Sequence, residues 1–346
     1  MKRTIGIDAG DYYLNTTINS GIKRIVSQAL LHLQSLYYDS IITHLYNYQN
    51  GGFLFGSVRL PYYLLKNHDQ VFFAFSGQIP WLIRFLPLKK ILFLYDLGFY
   101  QYPQHFQNPL KIIKQTNRSI LLADKIIVSS QITKKQLINQ FPKLDINKIT
   151  VCYLGIDHLF SIKVLPTSPL SFQYFLYVGV VKPLKNLEKL IQIYNQFIIQ
   201  SPKKGIKLII IGKAETNYKN SLLQLINLLK QEKNIIFKDV VTDEELVNYY
   251  QHCIGLLNVS LVEGFCFPVL EALSLGKNVI VNNLPIYKEY VPFFPKLFIT
   301  KNNSDFVKTM KDKSCRDVIN HVSTSTTVPT QFTWNFYTNS LISLIS

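Results

Sequence analysis

The chain has 346 residues, of which 48% are hydrophobic and 17% charged. This composition excludes intrinsic disorder, and the length suggests about two domains. The 37 lysine and arginine residues outnumber the 21 acidic ones, giving a net charge of +16. Such a surplus predicts an anionic partner: nucleic acid, a membrane surface or a phosphorylated substrate. The four cysteines form no CxxC pair, which predicts reduced thiols in a cytoplasmic protein.

The first half of the chain alternates short apolar runs with polar stretches, a pattern typical of α/β units. Strands are predicted at 4–8, 41–45, 71–75, 91–95, 125–128 and 148–152. Ser130 caps a predicted helix that runs to Phe141. Prolines and charges interrupt the apolar stretch 71–97, so it is not expected to span a bilayer. Its Trp81, Phe85 and basic residues are interpreted first as a solvated surface, and the alternative is a position on an anionic membrane surface.

The second half repeats the pattern more clearly, after a Pro- and Ser-containing linker predicted at 161–173. Five strands are predicted at 175–179, 207–212, 235–239, 255–259 and 278–282. Helices are predicted between or after them at 186–200, 222–229, 242–253 and 268–276. Thr242 and Glu245 form a capping box for the third helix. The predicted fold class is α/β with two doubly wound, Rossmann-like domains that face a central cleft.

The sharpest motif is EGFCFPVLE, which places Glu263 and Glu271 eight positions apart around a strand-to-helix turn. The amides of residues 264–267 point towards a helix N-terminus, which favours an anion. The motif therefore suggests a ligand with phosphate at one end and hydroxyls at the other. Glutamates that only stabilise a helix start are an equally good interpretation of the spacing.

A second motif is the loop GVVKPLKN at 179–186. Gly179 permits a tight turn, and Lys182 and Lys185 can act as point charges on phosphate oxygens. Two solvated loop lysines would give the same pattern in a basic protein.

Together these motifs resemble the nucleotide-binding half of retaining glycosyltransferases of family 4, which have the GT-B fold. The resemblance covers most of 174–291, from YVGVVKPLKN through LIIIGK and DEEL to SLVEGFCFPVLEALSLGKNVIVNN. Looser matches lie at SGIKRI, at 91–97, at 123–130 and at 148–157. It implies an acceptor-binding domain at 1–165 and a nucleotide-sugar donor domain at 166–327. The FTW motif at 332–334 resembles the start of a C-terminal helix, 328–346, that returns to the first domain.

The resemblance also implies roles for individual residues. Glu263 would hydrogen-bond the donor sugar as a catalytic residue, with Tyr95 and Asp96 near the reacting sugar, and Glu271 would hold the ribose hydroxyls. The other implied donor-binding residues are Gly21, Lys182, Lys185, Gly264, Phe265, Cys266 and Phe267. Members of this fold generally need no metal, so we expect no metal site and no cofactor beside the nucleotide diphosphate sugar.

Three positions depart from the family pattern. Tyr95 replaces a histidine, Leu184 an arginine often found there, and Cys266 the second glycine of EGFG. A tyrosine can donate a hydrogen bond but is not a base near neutral pH. Together the changes imply an altered donor or acceptor choice, or weakened activity.

The leading hypothesis is a metal-independent retaining glycosyltransferase that moves a mannose-type sugar or another hexose to a glycan or lipid-linked acceptor. It would be cytoplasmic, and attachment to an anionic inner membrane surface stays open. The alternative is a non-catalytic GT-B subunit that binds nucleotide or glycan and supports a partner enzyme. Nucleic acid is the less favoured partner. Guanosine-, uridine- and deoxythymidine-linked donors all fit, and the acceptor, linkage and oligomeric state are not specified.

Overall fold

The computed structural model describes residues 2–8, 21–46, 58–160, 162, 165, 168–201, 205–315 and 328–345. The chain forms two compact units. The first unit contains Met1–Gly155 and Thr330–Ser346, and the second contains Ile156–Pro329. The segment bounds at 165 and 327 implied by the family resemblance stay predictions.

The first unit is built on a six-stranded parallel sheet with strand order β2-β1-β3-β4-β5-β6. Its strands are β1 (Arg3–Asp8), β2 (Ile41–Tyr46), β3 (Val71–Ala74), β4 (Lys89–Leu94), β5 (Lys125–Val128) and β6 (Ile149–Val151). Its helices are α1 (Gly21–Tyr37), α2 (Leu60–Lys66), α3 (Gly98–Gln101), α4 (Pro109–Leu122), α5 (Gln131–Gln140) and the last helix of the chain, α12 (Trp334–Ile345). Short 3-10 helices lie at Trp81–Phe85, Pro103–His105, Ile146–Lys148 and Thr330–Phe332.

The second unit also contains a six-stranded parallel sheet, with order β12-β11-β10-β7-β8-β9. Its strands are β7 (Tyr174–Val178), β8 (Lys207–Ile211), β9 (Ile235–Lys238), β10 (Gly255–Asn258), β11 (Asn278–Asn282) and β12 (Leu297–Thr300). Its helices are α6 (Leu187–Gln200), α7 (Thr216–Leu228), α8 (Asp243–His252), α9 (Phe267–Ser274), α10 (Pro285–Tyr290) and α11 (Asn303–Cys315). Short 3-10 helices lie at Asp157–Leu159 and Pro183–Lys185.

The central strands of both sheets are apolar runs because helices cover them on both faces. In the second unit, one face of the sheet packs into a single core with the apolar faces of α6 and α7, and its members on β7, β8, β10 and β11 are Phe175, Tyr177, Leu208, Ile210, Leu257 and Ile280. All eleven predicted strands are confirmed, with bounds within two residues of the prediction. The capping box of Thr242 and Glu245 is also confirmed, and both of its hydrogen bonds are present.

Two sequence predictions for the second unit were wrong. Its sheet has six strands rather than five, because β12 is a four-residue edge strand whose middle residues are half-buried. So short a run, next to Pro295, carries little period-two signal. The helix predicted at 222–229 begins earlier, at Thr216. The prediction missed this start because the first turn of the helix is polar and shows no apolar periodicity.

The strand order of the second sheet places β7 and β10 side by side. The next strand in the chain after β7 extends the sheet on one side, and the strand after β10 extends it on the other. The loops that leave the carboxyl ends of these two strands therefore diverge, and a crevice opens between them at the carboxyl ends of the strands. Ligands of doubly wound sheets bind at such a switch point.

Candidate functional site

The loop that follows β7 is fixed in place by its neighbours at the carboxyl edge of the sheet. The amide of Val181 donates to the carbonyl of Lys213 at 2.8 Å. A Cβ atom at Gly212 would lie 2.1 Å from the carbonyl oxygen of Gly179, so the two loops meet where only glycine fits. The amide of Leu261 donates to the carbonyl of Leu184 at 2.9 Å, which also ties the loop to the segment after β10.

Lys185 and Glu263 are brought together by these two loops. Lys185 Nζ lies 2.6 Å from Glu263 Oε1, and the hydroxyl of Ser260 donates to the same oxygen at 2.6 Å. The Glu263 side chain is largely buried, whereas that of Lys185 is about one fifth exposed (21%). A cation and a carboxylate thus share the switch point of the sheet. This arrangement can contact both the phosphates and the hydroxyls of one ligand.

The turn between Glu263 and α9 contains the predicted residues Gly264, Phe265 and Cys266, and Phe267 is the first residue of α9. Cys266 has a left-handed backbone (φ 62°), a conformation that favours glycine. Its sulfur lies 3.5 Å from Asn258 Nδ2, and burial together with the Glu263 carboxylate raises the pKa of the thiol well above its usual value. The hydroxyl of Tyr290 donates to the carbonyl of Phe265 at 2.6 Å. Buried polar groups of β10 and α10 therefore hold the turn in place.

Glu271 lies on α9 and is almost completely buried, with 2% of its surface exposed. The hydroxyl of Tyr250 donates to its Oε2 at 2.8 Å. His158 Nε2 lies 3.4 Å from its Oε1, and the His158 side chain is equally enclosed. The carboxylate is therefore oriented from two sides, by α8 and by the 3-10 helix Asp157–Leu159.

Three residues whose side chains contact Glu263 or Glu271 were not predicted. Ser260 stands three positions before Glu263, where local spacing could have suggested a contact. Tyr250 is one of five consecutive buried residues of α8, and nothing in the sequence distinguishes it from a core tyrosine. His158 is more than 100 positions from Glu271 in the chain, and no pattern in the sequence connects them.

Lys182 and Leu184 occupy different positions in the same loop. The Lys182 side chain is half-buried, and its carbonyl accepts the amide of Lys185 at 2.9 Å. Leu184, which replaces the arginine of the family pattern, is buried in the apolar interior. At position 184 a buried apolar side chain thus stands where the family pattern has a positive charge.

The remaining predicted residues lie in the first unit. Gly21 is the first residue of α1, and the loop before it lies outside the described residues. Tyr95 follows β4, and its buried hydroxyl has no hydrogen-bond partner in the described part of the chain. Burial and the buried Asp8 carboxylate raise the pKa of Tyr95 well above the usual value, so the phenol stays protonated. Asp96 is exposed, and its Oδ1 accepts the amide of Gly98 at 2.9 Å where α3 begins.

Two further properties concern only the described ranges. No three side chains of histidine, cysteine, aspartate or glutamate within them are grouped so as to hold a metal ion. No helix in the same ranges has the length and apolar character needed to cross a membrane.

The two parallel sheets define the class of the fold, which is GT-B. The structure of Anabaena Alr3699/HepE in complex with UDP and glucose superimposes with a TM-score of 0.71. It covers 100% of this chain and 99% of that protein at 15% identity. Sucrose-phosphate synthase (tll1590) from Thermosynechococcus elongatus gives a TM-score of 0.72 at 13% identity, covering 99% and 95% of the two chains. At these identities the likeness shows the fold alone.

Part of the second unit also matches a family model. Residues 166–312 match the model described as "Glycosyl transferases group 1". The chain is 24% identical to O-antigen chain mannosyltransferase RfbU of Salmonella typhimurium over 68% of its own length. It is 25% identical to O-antigen chain mannosyltransferase B of Escherichia coli over 59%. The chain spans 61% and 55% of the lengths of these two relatives. Over part of its length the chain is therefore similar to group 1 glycosyl transferases and to mannosyltransferases.

Proposed function

We propose that the chain is a retaining glycosyltransferase that takes a mannose-type sugar or another hexose from a nucleotide diphosphate. The acceptor would be a glycan or a lipid-linked glycan, and no divalent metal would be needed. The observation that carries the proposal is the contact between Lys185 and Glu263 at the switch point of the second sheet. The match of this half to group 1 glycosyl transferases, and the mannosyltransferase names of the relatives, support it.

The site residues would divide the donor between them. Lys185 and the amides of residues 264–267 would bind the diphosphate at the N-terminus of α9. Glu263 would accept hydrogen bonds from the sugar hydroxyls, and Glu271 from the ribose. As the sugar–phosphate bond breaks, negative charge grows on the leaving diphosphate. A lysine and helix amides fixed beside it stabilise that state more than the ground state.

Among the described residues, the site contains no evident covalent nucleophile. To retain the anomeric configuration, the acceptor hydroxyl would therefore attack the sugar from the same face that the leaving diphosphate departs from. The leaving phosphate would then accept the proton of the acceptor hydroxyl. Tyr95 would not act as the base, because its buried phenol holds its proton. The first unit would bind the acceptor.

The first test is a thermal-shift series of the purified chain with UDP, GDP, dTDP, CDP and their common sugar conjugates. A ligand that binds only the folded state stabilises it by about 2.7 kcal/mol at a hundredfold excess over its Kd. We expect one base to give the largest shift, with EDTA leaving that shift unchanged. No shift with any nucleotide would favour the non-catalytic subunit instead.

The second test follows transfer or donor hydrolysis by NMR with the best donor. We expect the first sugar released to keep the anomeric configuration of the donor. Glu263→Gln should abolish turnover. It also removes the ion pair with Lys185, which leaves that lysine available to the diphosphate, so the thermal shift with the nucleotide diphosphate should persist. A product of inverted configuration would overturn the retaining mechanism. Full turnover by Glu263→Gln would remove Glu263 from the catalytic site.

A further inference from the structure

The first unit carries an exposed surface that combines aromatic, aliphatic and basic side chains. We name it the Trp81 surface, and it is formed by the 3-10 helix Trp81–Phe85 and by one face of α4. Its exposed members are Trp81, Leu82, Arg84, Phe85, Leu110, Lys114, Arg118 and Leu121. The four residues on α4 fall within an arc of about 80° at 100° per residue, so they share one face of the helix.

The two parts of this surface are fixed to each other. Ile83 is fully buried and anchors the 3-10 helix, and the amide of Ile79 donates to Ser119 Oγ of α4 at 2.8 Å. The guanidinium carbon of Arg84 lies 4.1 Å from the centroid of the Trp81 ring, and that of Arg118 lies 5.2 Å from it. One indole therefore holds two cationic groups at the protein surface.

The charge of this surface is not neutralised by neighbouring acids. Between residues 70 and 124 the sequence contains six lysine or arginine residues and two acidic residues, Asp96 and Asp124. Asp124 pairs with Lys90, which is not part of the Trp81 surface. Asp96 accepts the amide of Gly98. Within the described ranges, neither Arg84 nor Arg118 forms an ion pair. A positive potential therefore coincides with exposed apolar groups.

The apolar part of the surface identifies the partner. Phe85, Leu110 and Leu121 are 67%, 81% and 74% exposed, and burying them would remove apolar area from water. Nucleic-acid interfaces are polar and would leave these leucines exposed to water. Tryptophan with leucine, lysine and arginine is the composition of protein surfaces that lie in the headgroup region of a bilayer.

We propose that the Trp81 surface docks the chain on an anionic lipid bilayer. Trp81, Phe85 and the leucines enter the headgroup region, and Arg84, Arg118 and Lys114 contact lipid phosphates. The docking does not depend on the proposed transfer reaction. Membrane binding is measured without any donor, so a negative result for membrane docking does not contradict the proposed transfer reaction, and the reverse also holds.

The test uses the fluorescence of the two tryptophans. Trp334 is buried, so a change on adding vesicles reports Trp81. With vesicles of equal parts phosphatidylcholine and phosphatidylglycerol, we expect a blue shift of the emission and quenching by brominated acyl chains. Phosphatidylcholine alone should give neither effect, and added salt should reverse both. No blue shift with the anionic vesicles would overturn the proposal.

Variants identify the surface in co-sedimentation with the same vesicles. Each basic residue near an anionic surface contributes about fivefold in partitioning, so Arg84→Gln with Arg118→Gln should reduce binding roughly 30-fold. Phe85→Ser keeps the charge and should also weaken binding. The control, Lys233→Gln with Lys308→Gln, removes the same charge from exposed positions of the second unit and should bind nearly as wild type. Equal losses in the control, or retention on duplex DNA with no vesicle binding, would contradict the proposal.

Discussion

At the residue scale, Lys185 and Lys182 differ in what they touch although they belong to one loop. Lys185 Nζ contacts the carboxylate of Glu263, whereas the main-chain carbonyl of Lys182 accepts the amide of Lys185. The family resemblance implies diphosphate contacts for both. In the proposed reaction Lys185 would be the lysine beside the leaving group, because it lies at the switch point between β7 and β10.

Lys185→Met keeps most of the side-chain length and removes the charge. We expect kcat for transfer to fall about 100-fold, because the leaving diphosphate loses a fixed positive group. Lys182→Met in the same loop is the matched control, with a fall expected to stay below about tenfold. Steady-state kinetics with saturating donor measures both. A larger fall for Lys182→Met would mean that Lys182 has taken over the charge missing at Leu184.

Glu271 offers a second test, in which the support of a buried carboxylate is removed. Tyr250→Phe deletes the hydroxyl that donates to Oε2 at 2.8 Å, and a hydrogen bond to a charged group contributes about 1.5–3 kcal/mol. We expect the free energy of unfolding to fall by about that amount and KM for the donor to rise. Urea denaturation and initial rates are the measurements. Tyr249→Phe removes a hydroxyl from the neighbouring residue and should change neither quantity.

The sequence could predict that Lys185 and Glu263 meet, since each follows a central strand of one sheet and such strands end at a common edge. The support of Glu271 by His158 could not be predicted. It depends on how a loop folds back onto α9, which no periodicity records. The burial of the Tyr95 hydroxyl could not be predicted either, because it depends on packing within the first unit. The roles of these residues in donor binding stay predictions.

At the scale of elements, the strands with continuous apolar runs were predictable and the edge strand β12 was not. The terminal helix α12 is held by contacts that the sequence does not reveal. A Cβ atom on Gly155 would lie 2.4 Å from the ring of Trp334, so the indole packs directly on the backbone of that loop. Cys152 Sγ lies 3.9 Å from the carbonyl of Tyr337, one turn further along α12.

Trp334→Ala should therefore destabilise the first unit by about 3–5 kcal/mol, the usual cost of truncating a buried aromatic residue. Phe336→Ala on the same helix removes a half-exposed ring and should cost less than about 1 kcal/mol. Protection of Cys152 against a thiol reagent, followed through a urea titration, reports the first unit. Protection of Cys253 reports the second and should not change. Equal loss of protection at both cysteines would contradict a local role for Trp334.

At the scale of the whole molecule, the four thiols distinguish native from unfolded chain. Cys152, Cys253 and Cys266 are buried and Cys315 is exposed at the end of α11. Burial raises the pKa of Cys152 to about 12 and that of Cys253 to about 11, so these thiols stay protonated at neutral pH. Because the thiolate is the reactive form, we expect one fast-reacting thiol in the native protein and four in denaturant. Cys315→Ser should remove the fast phase, and any fast-reacting thiol left in the native form of that variant would contradict the assigned burial.

The membership of α12 in the first unit has a consequence for biosynthesis. The ribosome makes the whole of the second unit, Ile156–Pro329, before it reaches Trp334. At 5–20 residues per second this interval lasts roughly 9–35 s. During that time the surface beside Gly155 that Trp334 will cover is open to solvent, and to chaperones or other nascent chains. The second unit, whose residues are contiguous, can complete its sheet first although it is translated later.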